Sequence, residues 1–346
     1  MRPWRAALAL AACGALPALA QEEAALAPPP DIALPALTAP LAAKARLLDL
    51  TEVGTRLVAL GEQGVIVVSD DGRQWRQVPA PVGVTLTRLR FLDQKLGWAV
   101  GYDASILHSK DGGLSWTLQY RDPAARPLFD VLFLDARNGI AVGGFGLYLT
   151  TQDGGQHWQP QASPLAELGQ HFNRLLRLND GTLFIAGERG LLGRSKDKGA
   201  SWQMLLSPYA GTFFGAMMLD GERVLAFGMR GNAYVADNLA ACPTQDPAKY
   251  DPYAAETVSD PAKITALGWR KLESPTRESL LGGALLPGGE ALLVGINGTV
   301  VRTELAAGRL TALRTKAEQT LTDVVSYQER LIAVGKLGVQ DLKELK

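Results

Sequence analysis

The sequence predicts an all-β chain folded as a seven-bladed β-propeller of four-stranded antiparallel blades. Two short patterns that recur at a nearly constant interval carry this reading. The first is a polar turn before a tryptophan: Ser109-x-Asp111-x-Gly113-x-x-Trp116, Thr151-x-Asp153-x-Gly155-x-x-Trp158 and Ser195-x-Asp197-x-Gly199-x-x-Trp202. Asp70-x-Gly72-x-x-Trp75 reads as a variant with Val68 in the hydroxyl position, and the four aspartates are spaced 41, 42 and 44 residues apart. The second is an apolar run closed by Gly-x-x-Gly, at Gly61/Gly64, Gly143/Gly146, Gly187/Gly190, Gly228/Gly231, Gly295/Gly298 and Gly335/Gly338. An imperfect member places Ala104 after Gly101. First glycines are 40, 42, 44, 41, 67 and 40 residues apart, so seven units follow, one of them carrying an insertion.

One unit shows why each element forms. Leu86 to Phe91 alternates polar and apolar, Gly97 to Val100 is small and apolar, Ser105 to His108 precedes the polar turn, and Trp116 to Tyr120 follows it. These are four short strands bounded by turn residues. In the turn, the aspartate can accept backbone N–H bonds, the glycine can take a positive φ and the hydroxyl can close the loop. The tryptophan buries its ring between one sheet and the next. A four-stranded sheet with two apolar faces cannot cover both alone, so the units pack face to face around an axis.

The polar turns resemble the Asp-box, or bacterial neuraminidase, repeat. Combined with the preceding Val-Gly-x-x-Gly, they are similar to the photosystem II stability and assembly factor family over about residues 44 to 342. That resemblance implies seven blades, with the box between the third and fourth strands. It also implies an exported bacterial protein that works with a membrane protein or transporter complex, the resistance-nodulation-division type among them.

At the start of the chain, Arg2 and Arg5 precede an apolar stretch from Ala6 to Leu19, closed by Ala18-Leu19-Ala20. This predicts a signal peptide over residues 1–20 and a periplasmic location. The alternative is a lipoprotein anchored through Cys13 of Leu10-Ala11-Ala12-Cys13. Nowhere else does an apolar run reach the ~20 residues that span a bilayer. The 35 basic and 35 acidic side chains balance, which gives no electrostatic reason to expect nucleic acid or an anionic membrane as partner. Cleavage after Ala20 leaves Cys242 alone, so no internal disulfide forms and blade packing must hold a monomer together.

Residues 21–43 form an Ala- and Pro-rich leader, and 44–346 the propeller. The last unit, Leu321 to Leu342, lacks a box and a fourth strand, and an open sheet edge is a liability. Residues around Leu34 to Leu41 are expected to supply that outer strand and close the ring; Pro35 and Pro40 are tolerable on an edge. The insertion, about residues 238–264, falls between the third and fourth strands of blade five, and Trp269 takes the place of the box tryptophan. It is a surface excursion or a partner-contacting arm.

The Gly-x-x-Gly turns share one face around the central channel, so their middle residues form a ring. In chain order the ring reads Glu62 and Gln63, Tyr102 and Asp103, Gly144 and Phe145, Glu188 and Arg189, Met229 and Arg230, Ile296 and Asn297, Lys336 and Leu337. Aromatic, apolar and charged side chains in one ring suit a protein or lipid-like contact better than a phosphate site. The expected partner-binding residues are Glu62, Tyr102, Asp103, Phe145, Glu188, Arg189, Arg230, Asn297 and Lys336, with Arg88, Arg126, Arg174 and Arg277 near blade starts extending the same face.

No catalytic centre is expected. The box aspartates serve turn geometry, and the Phe-Arg-Ile-Pro segment typical of sialidases is absent. A glycosidase using Glu62, Asp103 and Glu188 would depend on a carboxylate separation the sequence does not give. His108, His157 and His171 have no ligand spacing, which argues against a zinc site, and no cofactor is implied. Neither a Gly-x-Ser-x-Gly elbow nor a phosphate-cradling loop is present. The expectation is a non-catalytic assembly or interaction protein; the competing class is a carbohydrate-active enzyme or a lectin.

Overall fold

A computed structural model describes residues 33–124, 126–220 and 223–342. The expected signal peptide, the Cys13 lipobox and leader residues 21–32 lie outside the described residues. Seven antiparallel sheets follow one another along the chain. Blade two shows the pattern: Leu86–Phe91 is innermost, then Gly97–Gly101, Ile106–Ser109 and Thr117–Tyr120 outermost. Innermost strands of successive blades lie against one another all the way round, Leu321–Tyr327 of blade seven meeting Leu47–Val53 of blade one. Among the described residues no helix is long and apolar enough to cross a membrane.

The tryptophans are placed as interblade wedges. Trp116 packs among Val58, Leu60 and Val68 of blade one; Trp158 meets Trp98 and Val100 of blade two; Trp202 meets Ile140 and Tyr148 of blade three. Trp269 occupies the same position between blades four and five, against Phe184, Leu192 and Leu205. Each ring removes roughly 150–250 Å² from water, on the order of 4 to 6 kcal/mol of transfer free energy.

The polar turns lie opposite the Gly-x-x-Gly loops. The Ser109 hydroxyl accepts from Gly113 N at 2.8 Å, and Asp111 Oδ1 accepts from Ser115 N at 2.9 Å. Thr151 with Asp153 and Ser195 with Asp197 repeat the geometry. In blade one the structure corrects the register. The turn carboxylate is Asp71, not Asp70, and its hydroxyl partner is Ser69, not the Val68 position. Asp71 Oδ1 accepts from Arg73 N and Gln74 N, both at 2.8 Å, and these backbone donors hold its carboxyl below the usual range. This box is one residue shorter than the others, and Asp70 turns outward to Arg56 at 2.9 Å.

A second correction concerns ring closure. Among the described residues blade seven has three strands, Leu321–Tyr327, Arg330–Gly335 and Gly338–Asp341. Leu34 to Leu41 forms no strand and runs instead along blade one, where Ala36 N donates to Ala80 O at 3.0 Å and Gln77 holds the Ala39 N–H and the Leu37 carbonyl. Pro35 and Pro40 leave this segment too few donors for a ladder. Side chains close the ring. Thr322 Oγ1 donates to Leu47 O at 2.8 Å, Tyr327 OH to Thr55 O at 2.7 Å, and Arg330 reaches the carbonyls of Asp71 and Gly72.

The insertion is folded rather than free. Thr244–Gln245 pairs with Gln203–Leu205 as a fifth strand on blade four, and Pro261–Ala266 forms a short helix capped by Asp260. Cys242 is buried at the root of this segment, and burial pushes its thiol up to about 11.

Candidate interaction face and central channel

Every Gly-x-x-Gly turn is built the same way. The residue after the first glycine donates its N–H to the carbonyl just before the innermost strand: Glu62 to Arg46, Tyr102 to Thr85, Glu188 to His171, Lys336 to Thr320. The first glycine is required by this close approach, since a Cβ on Gly61 would lie 2.1 Å from Arg46 O. The second residue of the turn is left-handed in six blades: Gln63, Asp103, Phe145, Arg189, Arg230 and Asn297, with φ between 51° and 57°. Non-glycine residues held there cost on the order of 1 kcal/mol or more each. The surrounding turn bonds hold them there, and their side chains project from one face.

Three large apolar side chains stand out on that face: Tyr102 is 49% exposed, Phe145 55% and Leu337 56%. Guanidinium groups accompany the aromatics. Arg126 sits over the Phe145 ring, 4.7 Å from its centroid, while His171 packs edge-on at 4.5 Å and accepts from Phe145 N at 2.9 Å through Nδ1. The insertion adds two tyrosines here: Tyr250 OH donates to Arg189 O, and Arg189 lies 4.4 Å from the Tyr253 centroid. Arg230 and Arg277 border a shared recess with Lys271.

The carboxylates of the ring are separately paired. Glu62 meets Arg46 at 3.2 Å, Asp103 meets Arg121 at 2.7 Å, and Glu188 lies 3.9 Å from Arg189 and accepts from His171 N. Two expected members of the face lie elsewhere. Arg88 and Arg174 point into the central channel, because each sits on an innermost strand past its bulge.

The sequence predicts that channel but not the charges that line it. The residue after the bulge in successive innermost strands is Asp49, Arg88, Asp130, Arg174, Gly215, Gly282 and Asp323. Acid and base alternate through four blades, two glycines follow, and an acid ends the circle. The acids also tie blades together: Leu89 N donates to Asp49 at 2.7 Å, Leu175 N to Asp130 at 2.9 Å, Gly283 N to Asp323 at 3.2 Å. Arg88 pairs with Asp49, and Arg90 grips Asp130 through Nε at 3.2 Å and Nη2 at 3.1 Å. Burial, with the Asp49 carboxylate beside it, pushes Asp323 up to about 7. Among the described residues no group of three His, Cys, Asp or Glu side chains could hold a metal ion.

Residues 119–240 match the family model described as photosynthesis system II assembly factor YCF48. Over that span the chain is similar to this family. The match takes in the boxes at Asp153 and Asp197 and the turns from Gly143 to Gly231. A curated relative, the photosystem II assembly protein Ycf48 of Thermosynechococcus vestitus, is 29% identical over 59 residues, 17% of each chain. Among solved structures, one described as YCF48 bound to D1 peptide aligns with a TM-score of 0.60 at 16% identity, covering 86% of this chain and 92% of that one. YCF48 from Cyanidioschyzon merolae gives 0.60 at 13% identity, covering 86% and 94%. The WD40 propeller domain of Doa1 gives 0.61 at 11% identity, covering 90% and 95%, so these structural likenesses speak to the fold alone.

Proposed function

We propose that this protein is a non-catalytic periplasmic assembly or interaction factor that docks a membrane protein or transporter complex on its Gly-x-x-Gly face. The observation that carries this reading is the grouping of Tyr102, Phe145 and Leu337, exposed, with Arg126 over the Phe145 ring and Arg189 and Arg230 on rigid, repeated turns. Exposed aromatics and arginines with depleted free carboxylates resemble the centre of a protein interface. The solved YCF48 structure with a D1 peptide supports a protein partner by analogy. A resistance-nodulation-division transporter would be one such partner, and the signal peptide of residues 1–20 would deliver the propeller to it.

The carbohydrate reading fits less well. A lectin platform needs open aromatic faces, and one face of Phe145 is covered by Arg126. A two-carboxylate hydrolase needs a free acid and base, whereas Glu62, Asp103 and Glu188 each lie beside an arginine on their own blade. Capture from the native envelope tests the proposal. The tagged wild type is expected to retain an integral membrane protein that the combined Tyr102→Ala, Phe145→Ala, Arg189→Ala, Arg230→Ala variant loses, at least tenfold by quantitative mass spectrometry. Equal capture by both proteins would remove this face from the account, and glycan binding by the purified protein without any capture would favour the carbohydrate reading.

A further inference from the structure

Among the described residues the channel holds three arginines, and two of them have a carboxylate to themselves. Arg88 is matched by Asp49 and Arg90 by Asp130. Arg174 has the remainder: its Nε lies 3.9 Å from an Asp130 oxygen that already accepts from Arg90 and Leu175, and 3.4 Å from Ala216 O. Its Nη1 is buried without a hydrogen-bond partner among the described residues, and so is Arg88 Nε. A buried guanidinium with unmet donors is expensive unless something satisfies it.

Space for that partner exists. Gly215 and Gly282 place no side chain where the alternation would put a charge. A cavity of about 320 Å³ opens along the innermost strands, lined by Arg88, Arg90, Arg174, Asp49, Gly283 and Asp323, with the exposed Glu52 also bordering it. Asp323 lies against Asp49, and burial with that carboxylate pushes it up to about 7, so near neutral pH part of the population holds a proton there and is a donor rather than a second fixed charge facing Arg174. In that protonated form three cations face two anions, Asp49 and Asp130, apart from Glu52 at the exposed rim. Burial and the charges of Arg88 and Arg90 lower the Arg174 pKa to about 9, the direction expected of a cation lacking its own counter-ion.

We propose that the central channel binds a small carboxylate or oxyanion on the Arg174 guanidinium. Planar, forked donors match the two oxygens of such an anion. This site is separate from the docking face and does not depend on it. Calorimetric titration of the purified protein with sodium succinate and with sodium phosphate, ionic strength held with sodium fluoride, tests it. Wild type is expected to show saturable one-site binding to at least one, and the preferred probe tells a carboxylate from an oxyanion ligand. Arg174→Gln should weaken binding at least tenfold, Arg126→Gln on the outer face should leave it within twofold, and at pH 8, where the wild-type Asp323 carboxyl is mostly ionised, Asp323→Asn should tighten it several-fold. No saturable heat with either anion, or wild-type affinity in Arg174→Gln, would overturn the proposal. If Arg174→Gln does not fold, Asp323→Asn decides: tighter binding supports the site, and unchanged or weaker binding overturns it.

Discussion

Asp130→Ala is expected to lower the free energy of unfolding by about 3 to 5 kcal/mol, the range for removing one partner of a buried ion pair. Asp130 is fully buried and accepts from Arg90 twice, from Val131 N at 2.9 Å and from Leu175 N at 2.9 Å. Its removal strands two cations and two backbone donors in the channel. Burial alone would raise its pKa, but Arg90, Arg174 and Arg88 outweigh burial and the carboxyl titrates below the ordinary range. The sign follows: a depressed carboxyl contributes stability above the unfolded pKa near ~4 and loses it as pH falls toward the folded value. The stability difference between wild type and Asp130→Ala should therefore narrow in acid. Urea titrations at neutral and acidic pH measure both effects, and a loss under about 1 kcal/mol at pH 7 would mean that water, not the aspartate, neutralises the channel.

Trp269→Ala should cost about 3 to 5 kcal/mol, the range for truncating a large buried aromatic. The ring is 2% exposed and sits between blades four and five among Phe184, Leu205 and Tyr234. Its Nε1 is buried without a partner among the described residues, so the indole contributes by packing rather than by a hydrogen bond. Trp269→Phe keeps most of the apolar contact and deletes the orphaned donor, and should cost less than about 2 kcal/mol. Thermal unfolding of the two variants side by side separates these terms. Equal losses would assign the indole N–H a role that the packing account denies it.

What could be read from the chain depended on whether the signal was local. Gly61 and its counterparts are each demanded by one carbonyl within van der Waals reach, and Asp111, Asp153 and Asp197 by N–H groups four residues on, so both patterns survive as short strings. Blade count and strand positions follow from them. Asp70 was misassigned because the blade-one turn is a residue shorter and the adjacent Asp71 satisfies the same donors. The closing strand was misplaced because an open edge invites a backbone solution, whereas Tyr327 and Arg330 latch blade seven to blade one with side chains.

The channel illustrates the opposite limit. Asp49, Arg88, Asp130, Arg174 and Asp323 share one structural position but alternate in charge, so net charge and residue type conceal them. Only their spacing, which follows the glycine intervals, carries the signal. Aligning the seven units on Gly61 and its counterparts brings Arg88, Asp130 and Arg174 into one column, with Asp49 and Asp323 one position away. The insertion was legible as extra length, but its return to the face through Tyr250 and Tyr253 rests on contacts with Arg189 that no pattern in residues 238–264 announces.

Site-specific photocrosslinking is the most direct test of the docking face. A photoreactive amino acid placed at Phe145 samples the Gly-x-x-Gly face, and one at Asp180, in the turn between the first two strands of blade four, samples the opposite face. In the native envelope the Phe145 probe should crosslink an integral membrane protein at least tenfold more than the Asp180 probe. Crosslinking to the same protein from Asp180 and not from Phe145 would contradict the account and move the partner to the face that carries the polar turns.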